Sequence, residues 1–174
     1  MDRLGFIHEK LDIKILILFV LRRLPAAVSF NSLSDLIMID EGFDYFDFTQ
    51  CLSELVDTGH IALGDEGYKI TKIGAEHGDT VESSIPFSVR SKAEQILKPV
   101  VDKMKRDALI GASHKTMPNG GCMVKLSLSD GVGEIFSLSI LTSDEDGARK
   151  IESNFRSNPE EYYLKIINML GSEE

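Results

Sequence analysis

Thr49, Gln50 and Ser53 stand at helical spacing on the polar side of a segment whose other side reads Phe48, Cys51, Leu52, Leu55 and Val56. Side chains of these three types at a helix surface suit recognition of a nucleic-acid duplex. A Gln amide pairs with adenine through two hydrogen bonds, and hydroxyls serve base edges or phosphate oxygens. Lys69 and Lys72 add two cations for phosphates, and Ser32 lies at the start of a preceding helix, where backbone N–H groups also favour phosphate. The opposing charges are as plain. The third-helix segment contains no Lys or Arg, and Glu54, Asp57, Asp65 and Glu66 would all repel a polyanion.

The residues of other chemistries are not at the spacings those chemistries need. His8, His60, His77 and His114 are scattered along the chain, and neither they nor Cys51 and Cys122 fall at metal-ligand spacing. Gly131-Val132-Gly133 lacks the third glycine of a dinucleotide loop, and no lysine follows a glycine-rich turn as a nucleotide cradle requires. Asp44 and Asp47 are close in sequence, but carboxylates at a helix start serve its unpaired amides. The expectation is no catalytic residue, no metal and no cofactor, hence not an enzyme. The two cysteines read as buried, reduced thiols.

The elements that must position the polar trio follow from periodicity and punctuation. Asp12 to Leu24 predicts a helix buried on most sides, capped by Asp12 and ended by Pro25. Val28-Ser29-Phe30 makes one short strand, and Asn31 or Ser32 caps a second helix carrying Leu33, Leu36 and Ile37. Asp47 caps the third helix, with Gln50 completing a capping box and Gly59 supplying the left-handed stop. Ile61-Ala62-Leu63 and Tyr68-Lys69-Ile70, joined through Gly64 to Gly67, form a hairpin. Helix, short strand, helix, helix, hairpin is the order of a winged helix-turn-helix, whose third helix enters the major groove.

Leu52-Ser53-Glu54-Leu55 through Gly59-His60-Ile61, followed by Tyr68-Lys69-Ile70-Thr71 and Gly74, resembles a pattern widespread in bacterial winged-helix regulators. The stretches around Tyr45-Phe46, Ser53 to Ile61, Ile85-Pro86, Met123 to Leu128 and Ala148 through Leu170 are similar to an uncharacterised bacterial family of unknown function described as winged-helix transcriptional regulators. That resemblance covers nearly the whole chain. It implies architecture and a class, and brings no ligand, target sequence or catalytic residue.

Beyond Gly78 the sequence predicts a polar link, then a helix capped by Ser88, with Val89, Ala93, Ile96, Leu97, Val100 and Met104 on one side and a kink at Pro99. Its other side, between Arg90 and Arg106, is the only net-basic stretch, for which a solvated face is the simpler reading. Leu109 to His114, Val124 to Leu128 and Phe136 to Ile140 alternate as antiparallel strands, with turns at Asn119-Gly120 and Asp130-Gly131. Ser143 with Asp146 opens one helix, and Asn158-Pro159 opens another whose stripe is Tyr163, Ile166, Ile167 and Leu170. Both helices are expected to cover the sheet.

The fold class expected is therefore α+β: residues 1–78 a winged helix-turn-helix domain, 79–107 a link and kinked amphipathic helix, and 108–174 an α+β companion domain. The chain of 174 residues carries 19 basic and 28 acidic side chains, net −9, which excludes avid non-specific nucleic-acid binding. The apolar run Ile13 to Leu21 is too short to span a bilayer, and Glu9 and Asp12 disfavour a secretion leader. The reading that results is a cytoplasmic, homodimeric regulator of transcription that acts by operator occupancy on double-stranded DNA, with the C-terminal domain for dimerisation or sensing and the stripe from Val89 to Met104 as a further candidate pairing face. The alternative is a winged-helix module that docks a protein partner and does not bind DNA.

Overall fold

The computed structural model describes residues 6–118 and 120–171, so Asn119 of the expected Asn119-Gly120 turn lies outside the described residues. The chain is α+β, with helices at the N-terminus, two small antiparallel sheets and two C-terminal helices. It divides into two compact units, with the boundary between Met104 and Lys105.

The first unit is organised around α1 (Lys10–Arg23), in which Ile13 and every residue from Ile15 to Leu21 are buried. So uniform a burial needs neighbours on all sides, and α1 packs against α2 (Phe30–Ile37), α3 (Tyr45–Asp57) and α4 (Lys72–Val81). The helix starts two residues before the position expected. Glu9 precedes it without a side-chain cap, and Asp12 sits in its first turn, where a carboxylate still faces the positive end of the helix.

The caps of the next two helices also lie upstream of their expected sites. Ser29, not Asn31 or Ser32, caps α2 by accepting from the Ser32 amide. Asp44, not Asp47, caps α3, accepting from the amides of Phe46 and Asp47, while the Asp47 carboxylate accepts in return from the Asp44 amide. The box motif is the one expected, moved one turn towards the N-terminus, because Asp44 is extended and Asp47 already helical. Gln50 takes no part in it.

Strands β1 (Ile61–Gly64) and β2 (Gly67–Ile70) pair in the hairpin register Ile61↔Ile70 and Gly64↔Gly67. Val28 contributes one isolated bridge to Tyr68, not a strand: the two residues exchange both backbone hydrogen bonds, at 3.0 and 2.8 Å. Gly67 makes that approach feasible. Its φ is +109°, and a Cβ there would stand 2.2 Å from the Val28 carbonyl oxygen.

The polar link expected after Gly78 is instead the end of a helix. Thr71 caps α4, which reaches Val81 and continues into a short 3-10 turn, Glu82–Ser84. α4 packs through its glycines: a Cβ on Gly74 would lie 2.1 Å from the His60 carbonyl oxygen, and one on Gly78 about 3.1 Å from Arg22. α5 (Phe87–Ala108) carries Pro99 inside it and spends its apolar stripe on this unit's core: Val89, Ala93 and Leu97 are buried, with Ile96, Val100, Val101 and Met104 packed alongside.

The second unit is a sheet of order β3-β4-β5, from β3 (Ile110–Thr116), β4 (Cys122–Ser129) and β5 (Glu134–Thr142), all antiparallel. α6 (Glu145–Ser157) covers β3 and β4 with Ala148 and Phe155. Its cap is Asp144, held below the ordinary carboxylate range by the Gly147 amide and then by the Ser143 hydroxyl. α7 (Pro159–Gly171) departs from expectation. Only Pro159 is buried along it, and of the anticipated stripe Tyr163 and Ile166 are half-buried while Ile167 and Leu170 are exposed.

Among the described residues no helix is long and apolar enough to cross a membrane.

Candidate nucleic-acid interface

α3 is seated by Phe48, Cys51, Leu52 and Leu55, all buried, and this orientation leaves Gln50, Ser53 and Asp57 exposed. Burial also pushes the Cys51 thiol up from its ordinary range. Thr49 is half-buried, and its hydroxyl donates to the Phe46 carbonyl at 3.0 Å, so it is engaged within its own helix. Gln50 donates one amide N–H to Glu54 Oε1 at 3.1 Å, which leaves the other N–H and its carbonyl for a base. Ser53 presents a hydroxyl at the exposed face.

Glu54 was expected among the exposed acids and is differently placed. Lys14, on α1, reaches its carboxylate at 2.7 Å and, with Gln50, holds it below the ordinary glutamate range. One of the charges that opposes a polyanion is thereby matched by a cation forty residues away. No spacing rule reveals a pair between two helices, so this one is not legible from the order of the residues.

Lys69 is exposed on β2 opposite Ala62, with Asp65 and Glu66 in the adjoining turn. Lys72 is not part of the hairpin. It opens α4, its side chain is 90% exposed, and its nearest acid is Glu76 at 3.9 Å. Ser32 is exposed in the first turn of α2, with its hydroxyl 2.9 Å from that of the cap Ser29. The structure thus places Gln50, Ser53, Lys69, Lys72 and Ser32 at the surface of the first unit and withdraws Thr49.

Two features escaped the sequence reading. Phe30, Tyr45, Phe48 and Tyr68 bring their rings together where α2, α3 and β2 meet, with neighbouring centroids 5.7 to 6.4 Å apart, and Phe46 stands beside Tyr45, 79% exposed. His60 and His77, seventeen residues apart, are also partners: Nε2 of one and Nδ1 of the other are 2.8 Å apart, and the Thr58 hydroxyl lies 2.8 Å from His60 Nδ1. The contact ties the end of α3 to α4. Among the described residues no three His, Cys, Asp or Glu side chains converge as a metal cage.

Together these elements define an α+β protein whose first unit is a helical body bearing a two-stranded hairpin. Residues 13–170 match the family described as a domain of unknown function (DUF4364), and the chain belongs to that family. The description carries no winged-helix or regulatory naming. No curated protein and no solved structure matches the chain.

Proposed function

We propose that residues 1–78 form a winged helix-turn-helix domain and that the protein is a cytoplasmic regulator of transcription acting by operator occupancy. The observation that carries the reading is the Val28–Tyr68 bridge. It adds the chain between α1 and α2 to the outer side of β2, which makes β1 and β2 a wing rooted beside α2 and α3. In that arrangement the third helix is the one offered to the major groove. Gln50 and Ser53 then read base edges, Ser32, Lys69 and Lys72 hold phosphates, and Thr49 acts only through its backbone position. The Lys14–Glu54 pair supports the reading by lowering the charge cost of presenting α3 to DNA.

One observation favours a second reading, docking of a protein partner. α3 contains no cation, and Phe46 beside Tyr45 offers an aromatic anchor with acidic neighbours of the type that meets a basic surface.

Selection of duplexes from a random pool on the immobilised full-length protein at low salt, followed by anisotropy titration of the enriched sequence, tests the proposal. An enriched motif bound at least tenfold more tightly than a scrambled duplex is expected. Failure to enrich any sequence rejects DNA binding and leaves the aromatic edge of α3 as the surface to test.

A further inference from the structure

We infer that the free edge of β5 is a two-fold interface at which a second copy of this chain continues the sheet. β5 is the longest strand of its sheet, and β4 pairs with only one of its sides. An open row of backbone N–H and C=O groups invites pairing unless charge, proline or a bulge protects it. The opposite edge, β3, carries Lys115 and His114. From Ile135 to Thr142 β5 has no charged residue and no proline, and its register against β4 is regular from Phe136 to Thr142, the one shift lying at Ile135 near the start of the strand.

The occupant is indicated by the sequence of the strand, Glu-Ile-Phe-Ser-Leu-Ser-Ile-Leu-Thr, which is self-complementary about Leu138. If both copies keep their helices on one face, the two-fold axis is perpendicular to the sheet and each residue pairs only with one of its own parity. Centring on Leu138 places Leu138 opposite itself and Phe136 opposite the second copy's Ile140 on the helix-covered face. On the open face Ser137 meets Ser139, and Ile135 meets Leu141. Ile135 and Leu141 are 46% and 56% exposed in a single chain, two large aliphatic side chains on a face otherwise polar along this strand, and Leu141 stays more than half exposed although Met123 of β4 stands opposite it. Cross-strand pairing accounts for both.

The covered face points to the same occupant. On β4 the inward residues Cys122, Val124, Leu126 and Leu128 are buried, whereas their β5 counterparts Phe136, Leu138 and Ile140 are only half-buried. Beside them lies an apolar cavity of about 240 Å³, lined also by Tyr162 and Ile166 of α7. α7 continues the apolar rim with Leu164, Ile167, Met169 and Leu170 exposed. The apolar layer is complete over β4 and unfinished at β5, the side on which a second sheet would bring its own layer. The contact is independent of DNA binding; it gives the dimerisation expected of the C-terminal domain a specific strand, and it replaces the Val89 to Met104 stripe, which lies in the first unit's core.

Light scattering on the full chain without DNA, from about 1 to 100 μM, spans the range in which an interface of ordinary size associates. The expected result is a dimer, with Ile135→Lys reduced to a monomer of unchanged circular dichroism because the two-fold axis sets an introduced lysine against Leu141 at both ends of the paired strands. The double variant Ile135→Lys with Leu141→Glu should regain the dimer, since the new charges then face each other. A wild-type monomer throughout the range, or a dimer indifferent to Ile135→Lys, overturns the proposal. So does a double variant that stays monomeric while folded.

Discussion

Lys14 Nζ stands 2.7 Å from Glu54 Oε2, joining the buried first helix to the outer side of the third. If α3 meets DNA, this pair sets the local charge, and the two single changes act in opposite directions. Lys14→Ala should weaken binding to every duplex and Glu54→Gln should strengthen it, each roughly two- to threefold, the effect of one charge acting through partly screened solvent. Anisotropy at fixed low salt measures both, and equal signs for the two variants would place the pair away from the duplex.

Few cations imply a shallow salt dependence. Each phosphate neutralised contributes a slope of roughly −0.9 in log K against log salt, and roughly two to four contacts are expected per protomer. Lys69→Ala with Lys72→Ala should lower affinity for all sequences and flatten the slope by about two contacts, while Gln50→Ala should change sequence preference. A steep slope that survives the loss of both lysines would move the phosphate contacts to the basic side of α5.

Glu82 accepts from both Arg22 and Arg23, at 2.8 and 2.7 Å, and the Arg23 hydrogen bond is the largest influence holding its carboxyl below the ordinary range. A folded-state value depressed below the unfolded one stabilises the fold above the unfolded value and loses that contribution as the pH falls through the folded one. Glu82→Gln should therefore cost about 1–2 kcal/mol near neutrality, and the difference from wild type should vanish in acid, below the glutamate range. Urea unfolding at pH 7 and below pH 4 measures it. A difference that persists undiminished in acid would show that the carboxylate charge is not its source.

Gly64 and Gly67 flank the same tight turn and look interchangeable in sequence. A Cβ on Gly64 meets nothing within 4 Å, whereas one on Gly67 collides with the Val28 carbonyl at a left-handed φ. Gly67→Ala should lower stability by more than about 1 kcal/mol, and Gly64→Ala should leave it within about 1 kcal/mol of wild type. Paired thermal melts distinguish them, and equal melting points would remove the tight packing of the hairpin against Val28.

Cys51 and Cys122 are 0% and 2% exposed, and neither is disulfide-bonded. Reaction with an aromatic disulfide reagent should be negligible in the folded protein and reach two thiols per chain in denaturant. Rapid labelling of the native chain would contradict the packing of α3 or β4.

The elements read best in sequence are those whose apolar residues recur with a clear period, as in α3 and the alternating strands β4 and β5. The caps were read less well. Asp44 and Asp47 are equally good caps chemically, and only the entry angle of the chain selects Asp44. α4 was missed because it buries glycines: Gly74 and Gly78 allow backbone and side chains to approach closely, a use that hydrophobic periodicity does not register. α7 shows the converse. Its stripe was legible, but periodicity does not tell whether an apolar face meets the same chain or remains open. At the candidate interface Gln50 and Ser53 were legible as exposed polar positions, while Thr49's bond to Phe46 and Glu54's partner on α1 depend on three-dimensional placement.

The fastening of the hairpin at Tyr68 and Gly67 to Val28 also divides the tolerance of this segment to change in chain length. The fixed point lies at the turn end of β2, held by two backbone hydrogen bonds and a contact that admits no side chain, so a residue inserted between Gly67 and Tyr68 would move β2 off its anchor. At the tip, Gly64, Asp65 and Glu66 are exposed. A change of chain length between Gly64 and Glu66 leaves the backbone exchange of Val28 with Tyr68 in place, so relatives are expected to vary in loop length there and to keep a glycine directly before the residue that pairs with Val28.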